Sequence, residues 1–87
     1  MAMSYQELDL RGRNLVAHLR ACARYAEKVK AQDSTAAADR LERLAVHWNE
    51  AVTLALSVRG AVSPPTFGEW LRKHGIPLGT ARKLLGS

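Results

Sequence analysis

The sequence predicts an all-α fold: a long helical hairpin followed by two short helices folded about a glycine. Three observations carry that prediction. Apolar residues recur at alternating steps of three and four through two separate stretches, the period of one helix face. Pro64-Pro65 then interrupts any continuation, because two prolines remove backbone donors and restrict the residue ahead of them. Beyond them Gly75 divides the tail into two amphipathic halves.

The first helix opens at Ser4-Tyr5-Gln6-Glu7, which has the spacing of a capping box. Its apolar stripe runs Tyr5, Leu8, Gly12, Leu15, Leu19, Cys22, Ala26 and Val29, to about Ala31, and Val16 and Ala23 widen it. Gly12 weakens the helix by about 1 kcal/mol relative to Ala but can admit a close neighbour. Arg13, Arg20, Arg24 and Lys28 point away from the stripe.

A second stripe runs Ala37, Leu41, Leu44, Trp48, Ala51, Ala55, Val58 and Val62, out of phase with the first. One unbroken helix would have to twist its apolar face sharply near Gln32-Asp33-Ser34-Thr35, which are good N-cap and turn residues. The expectation is a hairpin of two antiparallel helices. One long helix pairing between chains is the alternative, since neither Gly nor Pro marks the turn. Gly60 is placed to cap the second helix.

In the tail, Thr66-Phe67-Gly68-Glu69 reads as a second capping box, opening a helix from Phe67 to about His74. Gly75 suits a left-handed turn, Pro77 the opening turn of a last helix to about Leu85, and Gly86 its end. Residues 1–87 thus form a single domain. The hairpin occupies 4–62, a proline-containing connection 63–66 and the short pair 67–86.

Composition narrows the function classes. A chain of 87 residues has a small core of its own, so self-association would help it. The net charge of +5 is uneven: residues 1–32 carry +3, residues 33–62 carry −1 and residues 63–87 carry +3. Such a balance favours polyanionic partners. The single cysteine, Cys22, cannot form an internal disulfide and agrees with a reducing compartment. Met1 to Leu10 carries acids and no apolar core, and no apolar run approaches the ~20 residues that span a bilayer. A cytoplasmic protein without a membrane partner is expected.

From Phe67 onward, Phe67-Gly68-Glu69-Trp70-Leu71-Arg72-Lys73-His74-Gly75-Ile76-Pro77-Leu78-Gly79-Thr80-Ala81-Arg82-Lys83-Leu84-Leu85 resembles the helix-turn-helix of small phage and plasmid DNA-binding regulators. Counted from Phe67, Gly75 takes the turn position, and Trp70, Ile76, Ala81 and Leu84 take the apolar positions that set the angle between the helices. The pattern departs where Leu71 replaces a small residue, where His74 replaces an apolar one, and where Pro77 replaces a Ser or Thr cap.

The resemblance implies a recognition helix whose Leu78, Gly79, Thr80 and Lys83 approach base edges in duplex DNA, with Arg82 near bases or backbone. It also implies Arg72 and Lys73 over phosphates, and a homodimer held by the hairpin. A purely architectural reading stands beside it. There Phe67, Trp70, Leu71, Ile76, Leu78, Leu84 and Leu85 are core covering the open face of the hairpin, and the four tail bases are solvated.

Other constellations point elsewhere or nowhere. Arg13, Arg20, Arg24 and Lys28 form a second basic face that could meet nucleic acid or an acidic protein surface. The alternative function is therefore a non-enzymatic inhibitor or adaptor, for example a mobile-element protein that blocks a bacterial immune or nucleic-acid-processing complex. His18 and Cys22 lie one turn apart, but two ligands are too few for a structural metal. His47 and Glu50 can face each other without a nucleophile or third group. His74 reads as a helix C-terminal residue placed well against the dipole. No catalysis, cofactor or metal is expected.

Overall fold

The computed structural model describes residues 3–31 and 34–86, with the side chains of residues 31 and 34–36 excepted. Four helices follow in order: α1 Tyr5–Ala31, α2 Ser34–Ala61, α3 Pro64–Lys73 and α4 Leu78–Leu85. No strand occurs among the described residues, so the fold is all-α. The domain is elongated, 46 × 21 × 19 Å, because α1 and α2 lie side by side along most of its length.

The hairpin is formed within one chain. Arg11 Nη1 donates to Ser57 Oγ at 2.8 Å, His18 Nδ1 and His47 Nδ1 share a hydrogen bond at 2.9 Å, and the Cys22 thiol donates to the Leu44 carbonyl at 3.6 Å. Gln32 and Asp33 of the expected turn lie outside the described residues. Ser34 and Thr35 already belong to the α2 backbone and so are not turn residues. At the head of α1, Ser4 Oγ accepts from the Glu7 amide at 3.1 Å, the serine half of the expected capping box.

Between the long helices the contact is lined by small side chains. Ala21, Ala51 and Ala55 are buried, and Leu15 and Val58 are the large side chains buried completely. Small residues let the backbones approach closely, and the two large ones then plug the remaining space. Leu15, Ala51, Ala55 and Val58 continue into Trp70, Leu71, Ile76, Ala81 and Leu84 of the tail, giving one core at the open end of the hairpin. Three positions of the stripes do not follow the periodicity inward: Tyr5 is 71% exposed, Leu41 is 52% exposed, and Ala23 is exposed as well. Tyr5 sits in the first turn of α1, and its ring takes another partner described below.

The boundaries after α2 differ from expectation for identifiable reasons. Gly60 lies inside α2, which continues to Ala61, and only Gly75 and Gly86 have positive φ among the described residues. The expected cap at Thr66 is replaced by one at Ser63. The residue before a proline is held extended, and Ser63 has φ −70°, ψ 157°, the backbone an N-cap needs. Its Oγ accepts from the Thr66 amide at 3.4 Å. Pro64 and Pro65 fall at the first helical positions, where a missing N–H costs nothing. The prolines therefore open α3, and the connection shrinks to residues 62–63.

Candidate nucleic-acid interface

The turn between α3 and α4 is built by backbone chemistry. His74 is the C-cap, and Gly75 follows at φ +68°. The Gly75 amide donates to the Arg72 carbonyl at 3.1 Å, and the Ile76 amide to the Leu71 carbonyl at 2.9 Å. Those two bonds make a Schellman motif, which satisfies carbonyls the helix leaves open. Pro77 lies at the N-cap of α4, not inside it: φ −62°, ψ 147° is extended, and no side chain caps the helix. Gly86 closes α4 at φ +74°.

Tertiary contacts fix the pair against the hairpin. Trp70 Nε1 donates to the Leu8 carbonyl of α1 at 2.8 Å, and Phe67 stacks on the Trp70 ring at 5.7 Å between centroids. The positions expected to set the inter-helix angle, Trp70, Ile76, Ala81 and Leu84, are all buried, and so is Leu71. Of the expected recognition residues, Leu78, Gly79, Arg82 and Lys83 are exposed, Thr80 is half-buried, and Arg72 is exposed on α3. No acidic residue lies on α4.

Lys73 is exposed on α3 and reaches back to α1. Its ammonium donates to the Tyr5 hydroxyl and sits 4.2 Å from that ring's centroid, so Tyr5 and Lys73 tie the ends of α1 and α3 together. The attraction of a cation for an aromatic face explains why the exposed Tyr5 ring lies where it does.

His74 also departs from expectation. Its side chain is only 9% exposed, and its Nε2 has no hydrogen-bond partner among the described residues; Asp9 Oδ1 lies 4.0 Å away. Burial holds its pKa below the ordinary histidine value. Asp9 opposes that shift, while Lys73 and Arg13 add to it. The helix C-terminus is expected to favour the cation, and desolvation outweighs it here.

Because the folded state disfavours protonated His74, unfolded chains bind more protons as pH falls through about 6.5. Stability should therefore decline from about pH 6.5 downward, until the lower folded-state pKa is passed. Urea midpoints measured against pH should show that decline flattened in His74→Gln relative to the parent protein.

The α1 basic row keeps its expected exposure. Arg13 pairs with Asp9 at 3.0 Å, while Arg20, Arg24 and Lys28 project from the hairpin. Arg20 also borders a groove with Pro77 and Thr80, which brings the hairpin row up to the start of α4. Arg24 and Lys28 line a second cavity with His18, Tyr25 and His47, where the Tyr25 and His47 rings stack at 5.7 Å.

His18 and Cys22 do not converge on a shared site. His18 faces His47, and Cys22 is buried with its thiol pKa raised by that burial. His47 likewise turns to His18 instead of forming a pair with Glu50. No cluster of three or more His, Cys, Asp and Glu able to hold a metal occurs among the described residues. No described helix is long and apolar enough to cross a membrane. No family model, curated protein or solved structure matches the chain.

Proposed function

We propose that the protein binds duplex DNA as a small regulator, with α4 as the recognition helix. One observation carries this reading. The tail divides into buried positions that set the inter-helix angle and an exposed face made of Leu78, Gly79, Arg82 and Lys83. A helix is about 10–12 Å across with its side chains and fits a major groove about 12 Å wide. Arg72 then lies toward the backbone, and Arg20 extends the positive surface past the start of α4. The reading involves no catalysis and no cofactor.

The test is fluorescence anisotropy of a labelled mixed-sequence duplex across a salt series. Affinity should fall steeply with salt, and Arg82→Ala/Lys83→Ala should weaken binding and reduce the logarithmic slope by about 0.9 for each of the two that meets a phosphate. Circular dichroism should show unchanged helicity, since both side chains are exposed. Absence of binding at low salt would sink the proposal.

A second reading rests on the exposed row Arg20, Arg24 and Lys28 beside the His18–His47 cavity. It makes the hairpin a docking face for an acidic protein, with the chain acting as inhibitor or adaptor. Arg20→Ala/Arg24→Ala would then abolish capture of that partner, while Arg82→Ala/Lys83→Ala would leave it intact.

A further inference from the structure

We infer that the crease between α1 and α2 around His18 and His47 is a binding site for a small phosphorylated molecule, whose phosphate is held by Arg24 and Lys28. The cavity there encloses about 420 Å³ and is lined by His18, Arg24, Tyr25 and Lys28 of α1 and His47 of α2. That volume falls within the roughly 300–1,000 Å³ of small-molecule sites, which form readily between the helices of a bundle.

The chemistry of the lining selects the ligand. His18 Nδ1 and His47 Nδ1 lie 2.9 Å apart, so one nitrogen donates and the other accepts. An accepting Nδ1 carries no proton. That ring is therefore the neutral tautomer with its N–H at Nε2, a donor the pair itself leaves unused. Tyr25 stacks on His47 at 5.7 Å, and Lys28 Nζ lies 5.9 Å from the Tyr25 ring centroid. The ammonium is thus tied to the same aromatic wall as the histidine pair. Arg24, one turn before Lys28, adds a guanidinium whose fork of N–H donors matches phosphate oxygens.

The lining supplies donors and no carboxylate. Asp39 of α2 is engaged by Arg43 at 3.3 Å, and neither Arg24 nor Lys28 pairs with an acid among the described residues. Two cations one helical turn apart repel each other, and a dianion bound between them removes that repulsion. The same two charges oppose a metal ion, although two imidazole nitrogens converge.

This site is distinct from a docking face for an acidic protein, which would spread along the row that includes Arg20. The cavity does not include Arg20, which borders the groove beside Pro77 and Thr80. Arg20 therefore separates a bound small molecule from attraction to the basic row as a whole. Nor does the site depend on what α4 binds.

The experiment is isothermal titration calorimetry of the full chain with pyrophosphate, at near-neutral pH and physiological salt, followed by NMR of the histidine rings. Binding should be saturable and one-to-one. Arg24→Ala/Lys28→Ala should weaken it about tenfold or more, the effect of losing hydrogen bonds between charged groups. Helicity should be unchanged, because both side chains are exposed. Arg20→Ala should stay within about twofold of the parent protein, since at this salt a charge outside the site is largely screened. The ring signals of His18 and His47 should move with saturation, while those of His74, which lines other grooves, should not.

Absence of saturable binding at millimolar pyrophosphate overturns the inference. So does malonate binding as tightly, Arg20→Ala weakening binding as much as the cavity variant, or His18 and His47 signals that stay in place. The nucleic-acid backbone is the other source of the same chemical group. Duplex affinity that falls with Arg24→Ala/Lys28→Ala, while pyrophosphate does not bind, would assign the cavity to that backbone and overturn the small-molecule site.

Discussion

Leu15→Ala should leave the protein largely unfolded at physiological temperature. Leu15 is 0% exposed and packs in the cluster with Ala51, Ala55, Val58 and Trp70. Truncating such a leucine removes its transfer free energy and leaves a cavity, together costing about 2–5 kcal/mol. The neighbouring helix wall is alanine, which has no rotamer with which to fill the gap. Collapse of α1 onto α2 is further resisted by the cross-links at Arg11–Ser57 and Trp70–Leu8.

A domain of this size has roughly 3–5 kcal/mol to lose. Urea titration followed by circular dichroism should give a sharply lower midpoint at unchanged slope. A midpoint within a few tenths molar of the parent value would mean that the site relaxes, and that Leu15 does not plug the hairpin.

The second large effect is a reversal of sign at Gly12. In an isolated helix, Gly→Ala stabilises by about 1 kcal/mol. Here a Cβ on Gly12 would overlap the ring of His74, which lies directly against the α1 backbone. That ring is confined by Trp70, edge-on at 5.8 Å, so it cannot swing aside without opening the α1–α3 contact.

Gly12→Ala should therefore destabilise by about 1–3 kcal/mol, the range for overpacking a filled site. In a His74→Ala background the obstruction is gone, and the same substitution should stabilise. The four urea midpoints of this double-mutant cycle decide the matter: equal effects of Gly12→Ala in both backgrounds would remove the ring contact as the reason for a glycine here.

Much of the architecture was legible because it depends on near neighbours. The three-four steps of Leu8, Leu15, Leu19 and Cys22 and of Leu44, Ala51, Ala55 and Val58 marked helix faces that the folded chain does bury. Gly75 and Gly86 stood where a left-handed residue has to follow a helix end. The error at Thr66 arose from weighing two capping signatures by spacing alone. Ser63 won because Pro64 holds it extended and both prolines suit the first helical turn.

The candidate interface was half legible. Periodicity separated Trp70, Ile76, Ala81 and Leu84 from Arg82 and Lys83, but it did not show the contact of Lys73 with Tyr5. That contact joins residues far apart in the chain. The His18–His47 pair was missed although a signal existed: the pairs Arg11–Ser57, His18–His47 and Cys22–Leu44 are all centred within about one residue of position 33. A hairpin register taken from the expected turn would have aligned the two histidines.

By itself the sequence determined that the chain is helical, where its helices begin and end to within a few residues, and which face of each is apolar. Those properties follow from backbone covalency and from a period that repeats every few residues. Only the tertiary structure decided that His74 is buried against Gly12, that Lys73 reaches Tyr5, and that Leu41 is left exposed. Such outcomes depend on the register and docking of whole helices. Many weak contacts between distant segments set that docking jointly, and no short window of sequence contains it.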